Sequence, residues 1–270
     1  MDSRLDKLKA IIGRFTSAVV AFSGGVDSTF LARVARDVLG ERVMLVTAAS
    51  STYPESELDE AKKLAAQMGA AHRIIVSEEI DIPGFSDNPP DRCYYCKREL
   101  FMKIRDIAER EGYQAVFDGS NADDLSDFRP GRRALAELGV ISPLVEAGLT
   151  KKDIRALSAE MGLPTASKGS FACLASRFPY GETITKDKLG RVEEAEKALR
   201  AMGFSQFRVR SHRDLARIEV APADLESAWQ RRAGISAACK KAGFVFASLD
   251  LEGYRTGAMN EALFNENSKS

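Results

Sequence analysis

Apolar residues recur at helical spacing over residues 4–15, where Leu5, Leu8, Ile11 and Ile12 share one face between charged positions. The unbroken apolar run AVVAF at 18–22 predicts a strand buried on both faces. A Ser-Gly-Gly turn separates it from a helix predicted over 27–39 and closed by Gly40. Further strands are predicted at 43–48, 72–76 and 115–118, with helices over 55–68 and 97–110 between them. Strands alternating with helices of this length predict parallel βαβ units. The fold class is therefore α/β, a doubly wound, mostly parallel sheet, and such sheets bind ligands at the carboxyl ends of their strands.

The pattern changes after residue 150. A helix is predicted over 150–161, with Thr150 as N-cap and Asp153 three positions on. The segment LPTASKGSFACLASRFPYGE then loses periodicity, which marks a functional segment or a linker. Beyond it come a helix over 187–202, alternating strands at 206–211 and 215–220, helices near 222–232 and 234–242, and a strand at 244–251. This α+β order predicts a smaller second domain, with the division placed at 1–178 and 179–270.

Composition narrows the function. The 270 residues carry 39 Lys plus Arg against 39 Asp plus Glu, so the basic excess of a protein held mainly by phosphate backbones is absent. With 44% apolar residues the chain is ordinary for a globular protein. No run approaches the apolar length of a membrane helix, and the first fifteen residues keep charges throughout. Four cysteines in this length are too few for a disulfide scaffold. The sequence reads as a cytoplasmic protein with reduced thiols.

The chemistry starts where AVVAF runs into Ser23-Gly24-Gly25-Val26-Asp27-Ser28 and then a helix. Two glycines admit close backbone approach, and a helix start offers unpaired N–H groups and partial positive charge. Ser23 and Ser28 add hydroxyls, so the loop reads as a phosphate cradle. The Gly-Lys-Ser/Thr ending of a Walker A loop is missing. The plain alternative is a strand-to-helix turn with glycines for geometry. The string SGGVDS resembles the motif of the PP-loop ATP pyrophosphatases. That resemblance implies ATP binding at Ser23, Gly24, Gly25, Asp27 and Ser28, AMP transfer and pyrophosphate release. Gly119-Ser-Asn-Ala-Asp-Asp124 resembles that superfamily's second nucleotide segment, which adds Gly119, Asn121 and Asp124, and gives Asp27 and Asp123 as Mg²⁺ candidates.

Cys93-Tyr-Tyr-Cys96 stands just before a predicted helix, and Cys173 lies in the irregular segment. Three thiolates suit an iron–sulfur cluster with one open iron. Zinc and unmetallated thiols stay open on spacing alone. Cys239, in ISAACKKAG, reads as a small buried hydrophobe.

Residues KGSFACLASRFPYG around Cys173, with CYYCKREL, GSNADDLSDFRPGRRA, SPL at 142–144 and ARIEV at 216–220, closely resemble the LarE family of ATP-dependent sulfur transferases over nearly the whole chain. The resemblance implies adenylylation of a carboxylate of pyridinium-3,5-biscarboxylic acid mononucleotide, followed by sulfur insertion, in nickel-pincer cofactor synthesis. It implies Cys173 and Asp27 as catalytic residues. Three cysteines resemble the family branch in which Cys93, Cys96 and Cys173 hold a 4Fe–4S cluster that carries the sulfur. In the other branch the cysteine matching Cys173 is sacrificed. The resemblance also implies a homo-oligomer, a hexamer built from trimers.

On the substrate side, Arg208 and Arg210 share one strand face, as do Arg217 and Glu219. Paired strands would make one polar face. On the residues alone this reads as the solvated face of a sheet; the resemblance makes it a site for a mononucleotide phosphate. Ser176 and Arg177 join as phosphate contacts near Cys173, and Asp250 and Arg255 rank below them. Trp229 is expected in a core or interface. The competing readings are a PP-loop tRNA thiolase, an amidotransferase-type synthetase and a non-catalytic iron–sulfur or nucleotide sensor.

Overall fold

A computed structural model describes residues 3–125, 130–169, 172–255 and 257–260. Ser126–Arg129 and Ser170–Phe171, which belong to two of the quoted motifs, lie outside the described residues. The chain divides into two compact units: Met1–Phe85 with Pro90–Phe171, and Ser86–Pro89 with Ala172–Ser270.

In the first unit the elements follow as α1 (Ser3–Ile12), β1 (Ala18–Ala21), α2 (Val26–Leu39), β2 (Val43–Ala49), α3 (Glu55–Gln67), β3 (Ala71–Val76), α4 (Arg92–Arg110), β4 (Ala115–Phe117), α5 (Gly131–Glu137), α6 (Pro143–Ala147) and α7 (Lys151–Glu160). The sheet runs β3-β2-β1-β4, parallel throughout, with Val20 opposite Leu45 on one side and Phe117 on the other. Strand alternation sends Val20, Leu45 and Phe117 into a core with α1, α2, α6 and α7. It sends Val19, Met44, Val46 and Val116 into a second core with Phe101 and Ile104 of α4 and Leu135 of α5. Each such buried side chain contributes about 1.5–3 kcal/mol. The α/β expectation holds. The chain moves outward from β1 to β3 and then returns to the other side of β1 as β4, so the crevice of this sheet lies between the carboxyl ends of β1 and β4.

Helix α4 begins at Arg92, five residues before the expected Lys97, so Cys93 and Cys96 sit inside its first turns rather than ahead of it. Aromatic residues rank low in helix propensity, which hid the start. Packing supplies it: Tyr94 donates to Glu137 of α5 at 2.7 Å, and Arg133 covers the Tyr94 ring at 3.9 Å.

The second unit holds α8 (Lys186–Ala201), β5 (Phe207–His212), β6 (Leu215–Val220), α9 (Leu225–Gln230), α10 (Arg232–Lys241) and β7 (Phe246–Leu249). β5 and β6 are antiparallel, whereas β6 and β7 are parallel around α9 and α10, so the small sheet is mixed. Leu189, Val192, Leu199, Val209, Ile218 and Phe244 form its buried interior. Ser86–Pro89 is fastened within this unit. Buried Asn88 donates to Phe178 and Pro179 carbonyls at 3.3 and 2.6 Å, and Ile184 N–H reaches Ser86 O at 2.8 Å.

Candidate functional site

The cradle forms where β1 ends and α2 begins. Gly25 is the N-cap of α2 and no side chain caps it, which leaves the helix start to an external anion. Gly24 has φ +63°, and a Cβ there would stand 3.2 Å from Ala61 of α3. Ser23 Oγ lies 3.2 Å from Ser28 Oγ, and Ser28 Oγ donates to Gly25 O at 3.2 Å. Gly119, just after β4, packs on the same loop: a Cβ there would meet Ser28 N at 3.2 Å. Ser23, Gly24, Gly25, Ser28 and Gly119 therefore come together at the switch point.

Asp27, in the first turn of α2, meets residues that sequence reasoning missed. Its Oδ2 accepts from Lys151 Nζ at 2.5 Å, while its buried Oδ1 has no hydrogen-bond partner. Burial lifts the Asp27 carboxyl above its usual range, and Lys151 pulls it partly back. An unpaired buried carboxylate oxygen beside a phosphate cradle fits a Mg²⁺ ligand. Asp123 accepts from Lys151 N–H at 2.8 Å, and Asn121 N–H donates to Asp124 at 3.0 Å. Lys151 starts α7, which Thr150 and Asp153 close with a complete capping box, as the sequence predicts. At the end of β4, buried Asp118 accepts from Ser120 Oγ and Ser142 Oγ, both at 2.5 Å, and from Lys97 at 3.3 Å.

Of the thiols in this unit, Cys93 is exposed, and Cys96 donates to Glu79 at 3.8 Å. Glu79 is buried, accepts from Thr52 at 2.9 Å, and its carboxyl is raised by that burial. Among the described residues no group of three or more His, Cys, Asp or Glu side chains converges as a metal site.

In the second unit, Cys173 precedes the short 3-10 turn Leu174–Arg177. Arg177 is wholly buried. Its Nε and Nη2 grip Glu196 of α8 at 2.8 and 2.9 Å, and Nη1 donates to Ala172 O, Cys173 O and Ser176 Oγ at 2.7, 3.2 and 2.9 Å. These bonds make Arg177, the residue expected to contact a phosphate, fasten the cysteine loop. Arg210 donates from Nε to Glu219 at 2.9 Å and from Nη1 to Ser176 O at 2.9 Å.

The register sets Arg208 opposite Glu219 and Arg210 opposite Arg217, so the polar face exists, but it is not solvated. Arg208, Arg210 and Glu219 are all buried. Arg208 stacks over Tyr254 at 4.9 Å, and burial, then the charge of Arg177, pushes its pKa down to about 10, which keeps it charged at neutral pH. Arg217 pairs with Glu219 at 2.9 Å and with Asp250 at 3.6 Å. Arg177 pairs with Glu196, and Arg210 and Arg217 share Glu219, so guanidiniums and carboxylates are gathered on one face of this sheet. Arg255 pairs with Glu252 instead. Trp229 is 57% exposed under Arg232, outside any core of its unit. Cys239 is buried, with its thiol pushed up to about 11 by desolvation, as a packing residue should be. No helix among the described residues is long and apolar enough to cross a membrane.

Glu196 could have been found from sequence. It falls at the apolar spacing of α8, with Leu189, Val192 and Leu199, where a carboxylate needs a buried partner.

Comparison with known proteins agrees with this architecture. The NAD synthase family model matches residues 6–86, the stretch that carries the cradle. An uncharacterized protein of Synechocystis sp. is 42% identical over 265 residues, 97% of this chain and 99% of its own. The pyridinium-3,5-bisthiocarboxylic acid mononucleotide synthase of Lactiplantibacillus plantarum is 39% identical over 257 residues, 95% of this chain and 93% of its own. The chain belongs to the LarE family. A tRNA-specific 2-thiouridylase of Rhizobium johnstonii is similar at a lower level, 27% identical over 64% of this chain and 53% of its own. The LarE kinship extends over 95% of the chain, whereas the NAD synthase match stops at Ser86.

Proposed function

We propose that this protein uses ATP to adenylylate a carboxylate of pyridinium-3,5-biscarboxylic acid mononucleotide and then replaces the activated oxygen with sulfur. The observation that carries this reading is the 39% identity, across 95% of the chain, with a synthase named for the bisthiocarboxylic product. A substrate carboxylate oxygen attacks the α-phosphorus of ATP, and pyrophosphate leaves. Sulfur then attacks the acyl carbon, and AMP leaves with the bonding electrons. The cradle from Ser23 to Ser28, with Gly119, holds the departing phosphates, and Asn121 and Asp124 belong to the same nucleotide site. Asp27, with its unpaired Oδ1, and Asp123 hold Mg²⁺, which supplies charge neutralisation on the phosphates when bound.

Cys173 belongs to the sulfur-delivery site, and Ser176 and Arg177, bonded to each other on its loop, stand beside it as phosphate contacts. Arg208, Arg210, Arg217 and Glu219 receive the anionic substrate, whose phosphate and carboxylates suit guanidinium forks. For the sulfur source, the family likeness gives Cys93, Cys96 and Cys173 as three ligands of a 4Fe–4S cluster, the first two standing three apart in the opening turns of a helix. Such a cluster would supply a transferable sulfide. The protein acts in the cytoplasm as a homo-oligomer, without nucleic acid.

The test is pyrophosphate release from ATP with the dicarboxylated mononucleotide, run beside tRNA. Release with the mononucleotide alone supports the reading; release with tRNA alone replaces it with a thiolase. Cys173→Ala should keep pyrophosphate release and lose thiocarboxylate. Anaerobic reconstitution separates the sulfur routes: iron uptake abolished by Cys93→Ala supports the cluster, whereas sulfur lost from Cys173 in an iron-free protein supports sacrifice of that residue.

A further inference from the structure

Three successive carbonyls at the cradle are each held by a side chain. Phe22 O accepts from Thr47 Oγ1 at 2.6 Å, Ser23 O from Tyr53 OH at 2.6 Å, and Gly24 O from Lys168 Nζ at 3.1 Å. Lys168 is itself fixed by Glu57 and Glu60 of α3, at 2.7 and 2.9 Å, and Tyr53 stands two residues before α3. The last two carbonyls are therefore pulled toward the same side of the loop, that of α3.

In a trans peptide the carbonyl of one residue and the N–H of the next point in opposite directions. Holding Ser23 O and Gly24 O on the α3 side turns the N–H groups of Gly24 and Gly25 to the other side. Along an extended chain consecutive peptides alternate. Two that point the same way need a residue between them that leaves the extended region, and Gly24 leaves it with φ +63°. Two consecutive N–H groups on one side make a concave anion site. The geometry points to Tyr53 and Lys168 as positioning residues that set the cradle's amides for phosphate before any nucleotide arrives, with Thr47 fixing the peptide ahead of them.

This inference rests on the nucleotide reading of the loop and deepens it. Tyr53 and Lys168 act through the peptides they hold, and neither is assigned a contact with ATP. Burial raises the Tyr53 hydroxyl pKa, so it remains a donor at physiological pH.

Calorimetric titration of the purified full-length protein with ATP and with inorganic pyrophosphate tests the inference. Tyr53→Phe removes one hydroxyl and no charge, and should weaken both ligands roughly five- to tenfold, the loss expected when one preorganising hydrogen bond is removed. Lys168→Gln should do the same, and Lys168→Arg should restore most of the affinity. Thermal unfolding of each variant checks the fold. If Tyr53→Phe does not fold, the Lys168 pair decides. In steady state the loss should fall on the KM for ATP, with the KM for the mononucleotide unchanged. Wild-type protein that binds neither ligand overturns the nucleotide reading itself. Wild type that binds them, with Tyr53→Phe and Lys168→Gln binding equally well, overturns the positioning role alone.

Discussion

Removing Arg177 separates a structural role from a chemical one. Its guanidinium is fully buried, bidentate on Glu196, and bonded to the carbonyls of Ala172 and Cys173. Arg177→Met leaves Glu196 as a buried charge without its partner, which costs about 3–5 kcal/mol. Replacing the second charge as well, in Arg177→Met/Glu196→Gln, keeps an oxygen for Val209 N–H, now accepted at 3.0 Å, and should return about 2 kcal/mol or more. Urea unfolding followed by circular dichroism measures both. Activity should diverge from stability: the double variant regains its fold but not its sulfur transfer, because the carbonyls of Ala172 and Cys173 still lack their donor. A single variant that loses under about 1 kcal/mol would refute the buried-pair argument. Full recovery of sulfur transfer in the double variant would refute the fastening of the cysteine loop.

Asp27→Asn should abolish pyrophosphate release yet leave the protein at least as stable as wild type at neutral pH. The folded carboxyl is raised, so its contribution is present at acid pH and lost as pH rises through the folded value, and the variant's advantage should grow in that direction; a variant less stable at pH 7 contradicts this. Gly24→Ala should weaken ATP binding at least tenfold, because φ +63° and the close approach to Ala61 both oppose a side chain; calorimetry that finds unchanged affinity removes the need for glycine there. In native protein at pH 8, Cys93 should react with a thiol reagent and Cys239 should not until unfolding, as mass spectrometry of the labelled peptides would report.

Local signals made the first unit legible. Apolar runs of four to seven residues marked β1 and β2, and Thr150 with Asp153 announced α7 through bonds three residues apart. The short helices α5 and α6 gave too few periods to stand out, and their burial comes from packing on distant elements. Gly24 was visible because its φ of +63° and its approach to Ala61 call for glycine. Its supports were not: Lys168 is 144 residues from the carbonyl it holds, and Lys151 is 124 from Asp27. Nothing local distinguishes such a lysine from a solvated one. The arginine face shows the same limit. Alternation identified which residues share it, but an alternating strand reads the same whether water or a loop covers it, and here Ser176 O lies on Arg210.

The four residues Ser86–Pro89 have a consequence for how this protein can be taken apart. They belong to the second unit while the chain on both sides belongs to the first. A fragment beginning at Ala172 lacks the Asn88 amide that holds Phe178 and Pro179, and a fragment ending at Phe171 carries that amide with nothing to hold. Each piece lacks a contact that the intact chain makes. Expressed together they have the makings of a split-protein pair, in which the smaller piece is completed only by a segment borrowed from the larger.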